Sequence, residues 1–126
     1  NIHKTIPMLI NLPTHKTEKG SLTVLEEILP FKIERIFWIY DSDKKLRGGH
    51  RHKITRQALI AVNGEIIVNV ENGVEKFTVL LNNPSKCLIL EPEDWHTMFI
   101  KENATLLVMA SHKFDKDDYI YQPYEK

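Results

Sequence analysis

The chain has little with which to staple, anchor or attract. Cys87 is its only cysteine, which excludes an intrachain disulfide and agrees with a reducing compartment. No apolar run approaches the roughly 20 residues that a helix needs to cross a bilayer. The opening NIHKTIPMLINLP is too short and too polar for a secretory signal, so a cytoplasmic location is the expectation. Neither sign of charge is in excess, lysine plus arginine and aspartate plus glutamate numbering 17 each. That balance gives no electrostatic attraction to nucleic acid or to an acidic membrane, although a few well-placed cations suffice to hold a phosphate or two. A glycine-rich phosphate loop and a Ser-His-Asp pattern are both missing. What remains is ordinary: 42% hydrophobic and 27% charged residues are the proportions of a globular protein. The 126 residues make one domain, 1–126, with a sizeable core.

Helical periodicity is equally scarce. LTVLEEIL (Leu22 to Leu29) fits a helical turn or a strand, and Pro30 ends it in either case. Short apolar runs with turn signals between them follow. IERIFWIY (Ile33 to Tyr40) is aromatic and β-branched and closes at DSDKK. TRQALIAV stops at Asn63-Gly64 and EIIVNV at Asn72-Gly73, two hairpin signals. EKFTVLL, KCLILE and ATLLVMAS continue the rhythm, which only the tail FDKDDYIYQPYEK loses, with a short helix over Asp115 to Tyr121. Strands at spacings of about 8–12 residues with tight turns predict an all-β antiparallel sandwich or barrel.

The stretch RGGHRHKITRQALIAVNG (Arg47 to Gly64) carries most of the chemistry. On a strand, residues i and i+2 share a face, so His50 and His52 point together and Arg51 and Lys53 point opposite. Paired imidazoles serve as metal ligands, as acid–base groups near neutral pH, or as plain strand residues. Gln57 lies five residues beyond His52, Gly64 seven beyond Gln57, and PEDWH brings His96. This is the spacing of the cupin double motif, with glutamine where the usual ligand is glutamate. Parity turns Gln57 away from His52, so a bulge is needed to bring it in. Three histidines can bind zinc, iron or nickel. An amide in place of a carboxylate removes one negative charge from such a site, so no metal is expected.

The chain resembles the nucleotide-sugar 3,4-ketoisomerases, cupins that act on dTDP-4-keto-6-deoxyglucose. The likeness runs through KGSLTVLEE, IERIFWIYD, RGGHRHK, QALIAVNG, EPEDWHTM and LVMASHKFDKDDYI. It implies a cupin jelly-roll barrel and an isomerase that needs no cofactor and no metal. It also implies a homodimer with exchanged N-terminal strands, a place in making aminodeoxysugars for surface glycans such as O-antigen, and His50 and His52 as the catalytic pair. Between those two, His52 is expected to take the C3 proton and His50 to serve C4, because His52 lies deeper in its strand. One departure stands out: relatives often have Arg-x-Tyr-Tyr where this chain has Arg35-Ile36-Phe37-Trp38, so position 37 brings no hydroxyl. Arg35 and Arg47 are the candidates for the diphosphate, by charge-assisted bidentate bonds. Phe37, Gln57, Trp95 and His96 are the other expected substrate contacts. Asp115, Asp117 and Asp118 read as a helix start without chemistry, and Tyr119, Tyr121 and Tyr124 as packing for the tail. The rival readings are a metal-dependent cupin enzyme and a non-catalytic cupin that binds a sugar nucleotide.

Overall fold

The computed structural model describes residues 8–42 and 44–124. Alternation and turn chemistry divide them into twelve strands. These are β1 Met8–Asn11, β2 Thr14–Thr17, β3 Gly20–Thr23, β4 Arg35–Ile39, β5 Lys45–His52, β6 Gln57–Asn63, β7 Ile66–Glu71, β8 Lys76–Leu81, β9 Lys86–Leu90, β10 Trp95–Ile100, β11 Thr105–Ala110 and β12 Tyr119–Ile120. One five-stranded sheet runs β1-β9-β6-β11-β4, the other β12-β5-β10-β7-β8, and β2 pairs with β3 in a separate ribbon. All pairings are antiparallel. The two large sheets close face to face as the expected jelly roll.

Their inner faces supply the main core, including Leu59, Val68, Leu88, Ile100, Leu106 and Val108. Each such aliphatic side chain contributes roughly 1.5–3 kcal/mol on burial. Strand β7 alternates between buried and more open positions along Ile66–Glu71, as a strand with one face on the core should. Strand β6 does not, because residues 57–61 are buried on both faces. Its outer side carries Ala58 and Ile60, over which Leu25, Ile28, Leu29, Phe31 and Ile33 pack. The ambiguous run after Leu22 is therefore neither helix nor strand beyond Thr23; it is an irregular cover for the first sheet.

Two local expectations change. Asn72-Gly73 does join a hairpin, with Glu71 opposite Lys76, but Asn63-Gly64 does not. Strand β6 pairs with β9 and β11 while β7 pairs with β8 and β10, so this turn passes the chain from one sheet to the other. Gly64 (φ +76°) is needed there because a Cβ would sit 2.6 Å from the Ala104 Cα. The C-terminal helix shrinks to one 3-10 turn over Lys116–Asp118, started by the Asp115 side chain accepting from the Asp117 N–H. Tyr119 and Ile120 then leave the turn as β12, extended against β5.

Candidate active site

Strand β5 delivers the histidines, and its irregularity decides where they point. Between His96↔His50 and Thr97↔Gly48 the register with β10 slips by one residue, leaving Gly49 as the extra residue of a bulge. Gly48 and Gly49 take φ +87° and +82°, values that side chains with a Cβ rarely adopt. Arg47 and His50, three residues apart, consequently line the same cavity of about 160 Å³ between the sheets. Phe37, Gln57, His96 and Tyr119 line it too.

Gln57 arrives by a different route from the bulge expected of it. The chain leaves β5 after His52, turns through residues 53–56 and begins β6 in the opposite sheet. Parity along one strand therefore has no bearing on it. Arg56 pins that turn, its Nε and Nη2 donating to the two Glu91 carboxylate oxygens at 2.8 and 2.9 Å and its Nη1 to the Pro30 carbonyl.

Three imidazoles gather here: His50 and His96 line the cavity, and His52 is buried beside them. The His50 ring lies 5.1 Å from that of His52 and 5.0 Å from that of His96, edge to face in both cases. Burial, the neighbouring His52 and, in opposition, a hydrogen bond to the Gly48 backbone bring the His50 pKa down to about 4. Burial brings His96 down to about 3 against the pull of its Nδ1–H donating to the Asp94 carbonyl at 2.9 Å. Both are neutral near pH 7. His52 is lowered by burial as well, but it alone faces a carboxylate, and the hydrogen bond and charge of Asp118 work to raise it while Arg35 lowers it. Its Nδ1 meets Asp118 Oδ2 at 2.9 Å. Its Nε2 is buried and has no hydrogen-bond partner among the described residues. A buried nitrogen in that condition is what a bound ligand satisfies.

Among the described residues no three of His, Cys, Asp and Glu take a metal-ligating arrangement. The donor set does not fit the metal that many cupins hold.

The other sequence candidates fall at varying distances from the cavity. Arg47 is exposed at its mouth. Arg35, half-buried, sits over the Phe37 and Phe114 rings at 4.8 and 5.5 Å, with its Nε unpartnered among the described residues. Trp95 is not brought to the cavity. On β10 the buried positions are His96, Met98 and Ile100, so Trp95 points to the other face of the sheet. Arg51 points away from the histidines as parity requires, bonding Glu93 at 2.9 Å under the Tyr124 ring.

Sequence reasoning passed over two residues of the tail. Tyr119 lies opposite His52 in the β12–β5 register, with its ring 4.7 Å from His50 and 4.5 Å from His52. It places a phenol in the cavity wall that also holds Phe37, which has none. Asp118 is 5% exposed and accepts hydrogen bonds at Oδ1 from the Lys53 and Ile54 N–H groups and at Oδ2 from Thr55 and His52. Burial raises its carboxyl, but the bonds from Thr55, Ile54 and His52 outweigh that and hold it below the usual range. No periodicity announces either residue, since each meets its partner across more than sixty positions.

Comparison with known proteins agrees with this geometry. The family model "FdtA: WxcM-like, C-terminal" matches residues 5–126. The TDP-4-oxo-6-deoxy-alpha-D-glucose-3,4-oxoisomerase of Aneurinibacillus thermoaerophilus is 33% identical over 118 residues, 90% of this chain and 85% of that protein. The sugar 3,4-ketoisomerase QdtA of Thermoanaerobacterium thermosaccharolyticum, in complex with TDP, is 37% identical over 92% of this chain and 88% of that one, with a TM-score of 0.88. A histidine-to-asparagine variant of QdtA, in complex with TDP-4-keto-6-deoxyglucose, superposes with a TM-score of 0.88 at 36% identity over 92% of this chain and 87% of that one.

Proposed function

This chain belongs to the FdtA, WxcM-like family, and from that membership and the histidine-lined cavity we infer that it is a sugar-nucleotide 3,4-ketoisomerase. Its substrate is a TDP-linked 4-keto-6-deoxyhexose, the ligand class held by its structural neighbour. The observation that carries this reading is the pair His50 and His52, with rings 5.1 Å apart beside a small cavity.

The chemistry asks for no more than the site offers. A 4-keto group acidifies the hydrogen on C3. His52 takes that proton at Nε2, leaving an enediolate across C3 and C4. Return of a proton to C4 on the His50 side, with the proton of the C3 hydroxyl passing to the C4 oxygen, gives the 3-ketone and a C4 hydroxyl with no net change in atoms or electrons. Arg47 at the mouth is placed for the diphosphate, and the Gln57 amide and the phenol of Tyr119 are the neutral groups in the wall that can bond the sugar oxygens. Such donors stabilise a developing oxyanion more strongly in a closed cavity than in water. Incubating the protein with TDP-4-keto-6-deoxyglucose in the presence of a chelator should give the 3-keto isomer by NMR. No conversion would overturn the assignment, and conversion only after restoring a divalent metal would favour the metal-dependent alternative.

We further propose that two copies pair through their N-terminal strands. Strand β1 is an edge, bonded to β9 from Met8↔Ile89 to Asn11↔Lys86. The same register is open to the β1 of a second copy, and exchange of identical strands is a low-cost route to a dimer. At the opposite edge, β4 and the residue that follows it leave Ile36, Trp38 and Tyr40 each more than half exposed, more apolar surface than an edge strand normally shows to water. The segment expected to exchange, Met8 to Glu27, begins with β1. Light scattering at micromolar concentration should give twice the chain mass of 14.7 kDa; a monomer would refute the pairing.

A further inference from the structure

We propose that Asp118 is a positioning residue for the reaction: it keeps the proton of neutral His52 on Nδ1, so that Nε2 faces the substrate as a lone pair. This rests on the reading of His52 as the base.

The argument starts from the two oxygens of the carboxylate. Oδ1 accepts the Lys53 and Ile54 N–H groups at 3.0 and 2.8 Å, and these fixed donors leave it no freedom to rotate. Oδ2 is thereby aimed at Thr55 Oγ1 and at His52 Nδ1. A carboxylate can only accept, so Nδ1 must be the protonated nitrogen. Because Asp118 is 5% exposed and His52 4%, water does not compete for the bond. The remaining nitrogen, Nε2, is the one without a partner among the described residues. The same carboxylate stabilises the imidazolium formed once Nε2 has taken a proton. His50 and His96 have no comparable partner and are built to stay neutral. The tail thus does more than pack: its 3-10 turn and β12 carry the group that sets which end of His52 is basic.

Asp118→Asn is the discriminating change because it is nearly isosteric. Its carbonyl oxygen can keep both backbone donors, which puts the amide NH₂ where Oδ2 was. That NH₂ is a donor, so it forces Nδ1 to accept and moves the His52 proton to Nε2. The Thr55 hydroxyl can turn to accept from the amide. Spectra of ¹⁵N-histidine-labelled protein near neutral pH should therefore show His52 as Nδ1–H in the wild type and Nε2–H in the variant. By analogy with triads in which the wrong tautomer is imposed, kcat should fall on the order of 10²–10⁴-fold, with KM changed little. The groups facing His52 are Asp118, Arg35, His50, His96 and Tyr119. Among them Asp118 raises its pKa and the Arg35 charge lowers it. The base is lost as pH falls through that pKa, so removing the carboxylate should shift the acid limb of residual kcat/KM to lower pH.

A wild-type spectrum with His52 protonated at Nε2 would overturn the proposal whether or not the variant folds. So would a folded Asp118→Asn with wild-type kcat and an unmoved acid limb, the result expected of a merely structural aspartate. Absence of isomerase activity in the wild type would instead bring down the functional reading, leaving the spectra to decide whether Asp118 sets the tautomer.

Discussion

His52→Asn should abolish product formation and also stop solvent deuterium from appearing at C3 of recovered substrate. Asparagine preserves a polar group beside Asp118 and much of the side-chain volume, so a fold held by twelve strands should survive the change. What disappears is the free ring nitrogen. Loss of a positioned general base typically removes 10²–10⁴-fold in rate, and the loss should fall on kcat, since the amide is no weaker than an imidazole as a hydrogen-bonding contact. His50→Asn should behave differently. His50 lines the cavity directly but has no carboxylate behind it, so its removal should slow delivery of the proton to C4 while C3 exchange continues. The two variants separate the half-reactions: exchange without product in His50→Asn and neither in His52→Asn. If the pattern is inverted, the two residues trade roles. If both variants keep near-normal turnover, acid–base catalysis by this pair is wrong.

Much of that pair was legible in the sequence because period-2 alternation needs only one strand. His50 and His52 face together as parity requires, and Lys53 is exposed. By the same rule Trp95 and His96, adjacent on β10, had to point to opposite faces, so only one of them could reach the cavity. Parity fails wherever the chain changes sheet. Gln57 was misjudged because residues 53–56 carry the chain across the barrel, and Asn63-Gly64 because a sheet-crossing turn uses the same residues as a hairpin. Asp118 and Tyr119 were invisible for another reason. Their meaning lies in a pairing with β5 across more than sixty residues, and an Asp-Asp-Tyr run looks like a solvated helix start until its partners are known.

The double glycine is legible in both sequence and structure, and the two residues should differ sharply when substituted. Gly48→Ala should destabilise the protein by about 2–5 kcal/mol, combining about 1–2 kcal/mol for a left-handed backbone with about 1–3 kcal/mol for overpacking. Its new Cβ would lie 2.9 Å from the His96 carbonyl oxygen, 3.1 Å from Met98 Sδ and 3.2 Å from the Thr97 Cα. Two of those three atoms are β10 backbone and cannot swing aside as a side chain can. Relief requires β5 and β10 to separate at the bulge, which moves His50 and His96 at once, and misplacement of a catalytic group by about 1 Å can lose 10²-fold in rate. Gly49→Ala has a similar φ of +82° but meets nothing within 4 Å, so it should lose only the backbone component and keep most of its activity. Thermal melts and steady-state kinetics on the two variants give the comparison, with Gly48→Ala lower in Tm and much lower in kcat. Equal losses in both would mean that conformational strain alone sets the requirement for glycine. A Gly48→Ala enzyme with normal kcat would show that contact between β5 and β10 at this point does not hold the histidines in place.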